Sequence, residues 1–396
     1  MHLSYLQRRM WWLNETNKKA VGFNIPILFK SITTPNHVWL NHITHHTIQL
    51  GLENYKLSGL VDLKWEWTSN LSLYIDIVTC KEMEQSTICQ SLSRHHFDLS
   101  QEAPIRIHLL LTEQKSYLLF VFCHIVFDGS AAALFIASLE KNCRKSIKYL
   151  LDEPNSQQYE NMFLVKSNSI TYWEIQLQQL NEGLLAAPLP QQEEVMVFEF
   201  PAELFSLSRQ YCRRTRVNLS ALMLSIWAQW LMQYFNKSAV TIGTASENRT
   251  TAEKKNILHL YVSVFPLVIT DCSPKEIDKK YQSVKKFPYV PYEDLVKLDN
   301  FTKLSGWFDF YFGFHYWPKT NFNIKGIDWE ICTFTQGISR YPLSMDIFLL
   351  GEKTYIKIER DIYLNGMNNK DIYSQYLTIL QSTLQISLMP GNQHVK

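Results

Sequence analysis

Tyr117-Leu118-Leu119-Phe120-Val121-Phe122-Cys123-His124-Ile125-Val126-Phe127-Asp128-Gly129-Ser130 is the stretch from which the rest of the chain is read. Its first six residues are aromatic, branched or leucine, the composition that suits a buried strand. After Gly129 come Ser130-Ala131-Ala132-Ala133-Leu134-Phe135-Ile136-Ala137-Ser138-Leu139, a helix with a serine start. A histidine therefore stands where a buried strand ends, an Asp-Gly turn follows it, and a helix departs. Strand ends commonly carry chemistry, because a rigid element holds the group while a loop opens it to substrate.

A lone histidine in an apolar strand is more often a hydrogen-bonded core residue than a catalyst. The functional reading of His124 is a general base, since an imidazole titrates near ambient pH and takes a proton from an attacking amine or thiol. Asp128 is the nearest carboxylate in sequence. Periodicity alone does not place it against His124.

The pattern His-x-x-x-Asp-Gly after an apolar strand, followed by a helix of small residues, resembles the signature of nonribosomal peptide synthetase condensation domains. These belong to the chloramphenicol-acetyltransferase-like acyltransferase superfamily, whose motif is His-His-x-x-x-Asp-Gly. Here His124, Asp128 and Gly129 match, and Cys123 replaces the first histidine. Further segments fit in order. Ser4, Gln7, Arg9, Met10 and Trp11 match the opening helix motif, and Phe23-Asn24-Ile25-Pro26 fits the following strand. His95-His96-Phe97-Asp98-Leu99 matches the family's Pro-Phe-Asp-Leu turn and has the wrong spacing for the catalytic motif. Gly243 and Arg249 match a Val-x-Gly-x-Pro-x-Ala-x-Arg segment, in which Ala245 replaces Pro and Glu247 replaces Ala. Ser263 stands for the Asn of Phe-Val-Asn-Thr-Leu-Pro. Val290-Pro291-Tyr292-Glu293-Asp294-Leu295 and the aromatic strand Phe308–Tyr316 complete the series.

The resemblance implies an α/β fold: two chloramphenicol-acetyltransferase-like lobes forming a V-shaped pseudo-dimer, with mixed sheets flanked by helices. The polar stretch 152–169 reads as the linker, so the N-terminal lobe covers 1–165 and the C-terminal lobe 170–396. The implied activity is amide formation, an acyl group passing from the phosphopantetheine thioester of an acyl or peptidyl carrier protein to a free or carrier-bound amine. The arm is part of the substrate, so no bound cofactor is expected. His124 is the base or the group that orients the amine. Gly129 lets backbone approach substrate, and its N–H faces the developing oxyanion. Asp128 is structural and pairs with Arg9, and Cys123 packs beside the site. Two rivals stand beside this reading: a degenerate module that binds a carrier protein or partner enzyme, and a coenzyme A-dependent acyltransferase.

Composition bounds the same answer. The chain has 396 residues, 46% hydrophobic and 19% charged, too many for one ordinary core. A net charge of +2 gives no reason to expect nucleic acid or an anionic membrane as partner. The apolar runs are broken well before membrane-spanning length, and the N-terminus lacks a secretory segment. Seven cysteines without a Cys-x-x-Cys pair argue for reduced thiols in a cytoplasm, with no zinc site.

Among the helices, 35–50 is expected to turn Val38, Ile43 and Ile48 to the core, with His45-His46 on a solvated face. Leu219, Leu222, Met223, Ile226, Trp227, Trp230, Leu231 and Tyr234 recur at three- and four-residue spacing behind Asn218, a candidate N-cap. A closing helix is expected over 369–386.

Overall fold

The structure is a computed structural model that describes residues 3–4, 6–8, 10–11, 23–58, 64–68, 71–140, 148–149, 172–173, 193–249, 254–287, 308, 310–317, 319–338, 340–361, 364, 366 and 368–388. The linker expected over 152–169 and the Val290–Leu295 segment lie outside the described residues.

The chain forms two compact units. The first takes 1–163, 247–263 and 319–338, and the second takes 164–246, 264–318 and 339–396. A single cut between 165 and 170 does not describe this division, because two later segments return to the first unit. The strands in chain order begin with β1 (Ile25–Ser31), β2 (Tyr55–Ser58), β3 (Lys64–Trp67), β4 (Ser72–Thr79), β5 (Glu102–Leu111), β6 (Ser116–Phe122) and β7 (Lys148–Tyr149). They continue with β8 (Glu193–Glu199), β9 (Val240–Ser246), β10 (Ile257–Leu258), β11 (Ser263–Ile269) and β12 (Phe310–Trp317). The last are β13 (Asn321–Ile324), β14 (Ile327–Cys332), β15 (Leu343–Leu350) and β16 (Lys353–Asp361).

The sheet of the first unit runs β13-β14-β1-β6-β5-β4. Its pairs are antiparallel except β4 with β5, so the sheet is mixed. Strand β6 lies near its middle and every residue of it is buried. Phe120 and Phe122 are fully enclosed and pack edge-on against Phe135 of the helix Gly129–Glu140. Each such side chain contributes about 1.5–3 kcal/mol. The hairpin β13–β14 was not read from the sequence. It turns at Lys325 and Gly326, with φ of 49° and 84°, the positive pair that a two-residue hairpin turn requires.

The helix His37–Gln49 starts at Asn36, whose Oδ1 accepts the Trp39 N–H. Its phase differs from the expected one. Trp39, Ile43, His46 and Thr47 face inward, while Val38 and Ile48 are exposed. Residues five apart do not share a helix face, whereas 39, 43 and 46–47 do. His46 is thus a core residue and not part of a solvated face; its Nε2 lies 2.7 Å from Ser138 Oγ. Ser138 donates its only hydroxyl hydrogen to the Phe135 carbonyl at 2.6 Å, so the ring donates and this pair is no nucleophile and base.

The sheet of the second unit runs β11-β9-β12-β15-β16-β8, parallel around β12 and antiparallel towards β8. Phe310, Phe312, Leu343, Met345, Ile347, Ile356 and Ile358 join one core with the helix Leu219–Tyr234. Alternate positions of the same strands carry Tyr311, Gly313, His315, Ser344, Asp346, Lys357 and Glu359, so the opposite face is polar. Asn218 caps the helix by position only. Its amide goes to Asp278 Oδ1 at 2.7 Å, and it makes no side-chain cap. The closing helix runs Asn369–Leu388. No described helix is long and apolar enough to cross a membrane.

One buried group makes the first unit acid-sensitive. His108 on β5 is wholly enclosed and its ring nitrogens find no hydrogen-bond partner among the described residues; the Asp76 carboxylate is 3.9 Å away. Burial lowers its pKa to about 4, against the partial opposition of Asp76. The unfolded chain takes up that proton near pH 6.5 and the folded chain only near 4. Stability is therefore full above about 6.5 and falls as the pH drops towards 4, by about 3 kcal/mol at most. We expect His108→Leu to flatten the difference in urea midpoint between pH 7 and pH 4.5. An unchanged difference would remove His108 as its source.

Candidate active site

His124 follows directly on β6, whose last residue, Phe122, faces Ile25 of β1 and Ile105 of β5. Cys123 extends the pairing by one bond, its N–H donating to the Pro104 carbonyl at 2.9 Å. Its own carbonyl then accepts the N–H groups of Val126 and Phe127, closing a tight turn around residue 124. The half-buried His124 folds back within that turn, with Nδ1 at 2.8 Å from the Phe127 carbonyl. A carbonyl only accepts, so Nδ1 carries the hydrogen. The neutral ring then bears its lone pair on Nε2, the form a base needs. The strand end thus fixes both the direction of the ring and its tautomer.

Asp128 is 2% exposed and its carboxylate is saturated. Oδ1 accepts the Ala131 N–H at 2.7 Å, which makes Asp128 the N-cap of the helix Gly129–Glu140. Oδ1 also takes Arg249 Nη2 at 2.9 Å, and Oδ2 takes the Tyr261 and Val262 N–H groups at 2.9 and 3.2 Å. Arg249 in turn donates to the carbonyls of Lys254, Ile257 and His259. All these residues belong to the first unit. Asp128 and Arg249 together fasten the returning segment 247–263 to the turn that carries His124. Arg9, the expected partner of Asp128, lies outside the described residues. The guanidinium seen on Asp128 is that of Arg249, whose match to the Val-x-Gly-x-Pro-x-Ala-x-Arg segment was the signal available in the sequence. Ser263 joins the same segment, accepting the Asn248 amide at 2.8 Å.

Gly129 is the first residue of its helix and exposed. Asp128 spends its cap on Ala131, so the Gly129 and Ser130 N–H groups lie outside it. A methyl group built on Gly129 would meet nothing within 4 Å. Cys123 is 3% exposed, and burial pushes its thiol up to about 12. It stays protonated at neutral pH, which excludes it as a nucleophile there. His95 and His96 are not part of this group. Their rings are exposed, and their carbonyls hold Arg106, which pairs with both oxygens of Glu102. Among the described residues no cluster of His, Cys, Asp or Glu is arranged to hold a metal ion.

The arrangement offers a directed imidazole beside an open helix start, on a turn held by a buried ion pair. Comparison with known proteins returns the same type of domain. The family model for the condensation domain matches residues 1–385. A hybrid PKS-NRPS synthetase, gkaA of Penicillium citrinum, is 21% identical over 296 residues, which cover 68% of this chain and 7% of that protein. The chain thus spans less than a tenth of this curated relative. The condensation domain from monacolin K polyketide synthase MokA superposes with a TM-score of 0.78, at 12% identity and 97% coverage of each chain. The X-domain from teicoplanin biosynthesis, solved as a complex with OxyB, gives 0.76 at 13% identity, with 98% of this chain and 94% of that one covered. At these identities the structures establish likeness of fold.

Proposed function

Since this chain belongs to the condensation-domain family, whose model spans residues 1–385 of it, we propose that it forms an amide bond. An acyl group leaves the phosphopantetheine thioester of an acyl or peptidyl carrier protein, and an amine takes it. The new C–N bond forms, the C–S bond breaks, and the proton leaving the nitrogen ends on the departing thiolate. A thioester is already activated, so holding the two reactants together supplies most of the gain, about 7–11 kcal/mol of barrier. A well-placed base adds about 10²–10⁴-fold. The observation that carries this reading is the 2.8 Å bond from His124 Nδ1 to the Phe127 carbonyl, which puts the hydrogen on Nδ1 and the lone pair of the neutral ring on Nε2, the form that takes up a proton. The first-turn N–H groups at Gly129 and Ser130 are the donors for the oxyanion. Asp128, Arg249 and Cys123 act through the shape of the turn and touch no reactant.

Cys123 supports a second reading. A buried thiol donates and accepts only weakly where the family motif carries an imidazole, so a module that binds a loaded carrier without turning it over fits the same residues. The two readings part in one experiment. Purified protein is mixed with an acyl-loaded carrier protein and a set of candidate amines, and products are read by mass spectrometry. Amide product supports the enzyme. Carrier binding with no amide from any amine of the set supports the module, and neither binding nor product overturns both.

A further inference from the structure

The polar face of the second sheet holds a buried group of charges. Asp346, in the middle of β15, is wholly buried. Its Oδ1 lies 2.8 Å from Nε2 of His315 on β12, and Lys357 Nζ and Arg340 Nη2 lie 3.2 and 3.6 Å from Oδ2. Lys357 also meets Glu359 at 2.6 Å, and Ser344 donates to Glu359. Burial alone would raise the Asp346 carboxyl, but Lys357, His315 and Arg340 outweigh it and hold it well below the usual carboxylate range. Two carboxylates thus face two cations, and the group is balanced without any charge on His315.

The site is built into the backbone. Asp346 stands opposite Gly313 in the register of β12 and β15. A Cβ on residue 313 would lie 1.9 Å from Asp346 Oδ1 and 2.7 Å from His315 Nε2. Only glycine lets the carboxylate lie across β12 and reach the ring. The ring itself stacks on Phe348 at 4.6 Å, and its side chain is 36% exposed. An ionised carboxylate only accepts, so Nε2 carries the hydrogen and the outer nitrogen, Nδ1, bears the lone pair of the neutral ring.

We propose that His315, backed by Asp346, is a binding site for a primary amine, the acceptor class that the proposed reaction requires. The inference rests on that reading for the identity of its ligand. The outer nitrogen accepts, so it selects a donor; an amine or its ammonium form fits, whereas a carboxylate needs a donor that the neutral ring does not present there. No bond changes at His315 in this account.

The test is binding without turnover. L-alaninamide and its N-acetyl derivative are titrated into full-length protein labelled at the histidine ring nitrogens, and affinity is followed by NMR. We expect L-alaninamide to shift the His315 signal and the acetylated compound to leave it in place. His315→Ala should weaken L-alaninamide at least tenfold, with a modest fall in Tm because Asp346 Oδ1 loses its hydrogen bond while Lys357 and Arg340 still neutralise the charge. His315→Gln should recover most of the affinity, since its amide both donates to Asp346 and accepts from the ligand. An L-alaninamide affinity unchanged in His315→Ala, equal binding of the acetylated compound, or a fall in Tm with affinity intact would each overturn the proposal. Absence of amide product in the carrier assay overturns the enzyme reading and leaves this titration standing on its own result.

Discussion

Asp128→Asn will destabilise the first unit by about 3–5 kcal/mol, and Arg249→Met by a similar amount, because each strands a buried charge. The double variant will cost little more than either single one. The carboxylate accepts four hydrogen bonds, from Ala131 N, Arg249 Nη2, Tyr261 N and Val262 N. An asparagine of the same shape accepts with one oxygen and turns an NH₂ towards donors. One of those bonds caps a helix, which is itself worth about 1 kcal/mol. The loss corresponds to roughly 2–4 °C in Tm per kcal/mol for a body of this size. Urea unfolding of the three variants measures the coupling directly. A wild-type midpoint for Asp128→Asn, or two single effects that simply add, would dissolve the pair as the fastening of this turn.

The sequence carried a good deal of this, for identifiable reasons. The β6–turn–helix unit was legible because its apolar run, Asp-Gly turn and small-residue helix are all local. The helix Leu219–Tyr234 was legible because its inward residues recur at helical spacing. Failures came where partners are distant. The hairpin β13–β14 reaches β1 from some three hundred residues away, and only its alternation and the Lys325-Gly326 turn announce it. The pairing of Asp128 with Arg249 depends on the return of 247–263 to the first unit, which no periodicity encodes. The inward face of His37–Gln49 follows helical phase, which selects Trp39, Ile43, His46 and Thr47, whereas hydrophobicity alone points to the exposed Val38 and Ile48. The group around Asp346 is not legible because its members lie on three strands and the bend before β15, and Gly313, which makes room for it, contributes no side chain.

The larger effect on function is expected from His124→Ala: a folded protein, with Tm unchanged, whose rate of amide formation falls about 10²–10⁴-fold. Stability is spared because the fastening of its turn belongs to Asp128 and to the Cys123 carbonyl. Activity does not vanish, because bringing thioester and amine together needs no imidazole. The two roles of the ring separate in rescue. If His124 takes the proton, added imidazole restores rate to His124→Ala in proportion to its concentration, and His124→Gln stays slow. If the ring only directs the amine, His124→Gln recovers rate, because its amide can donate to the Phe127 carbonyl and accept from the amine, while added imidazole does little. The bond from Nδ1 to the Phe127 carbonyl puts the lone pair of the neutral ring on Nε2, which both roles use, so the rescue decides between them. A wild-type rate in His124→Ala would take the residue out of the mechanism altogether.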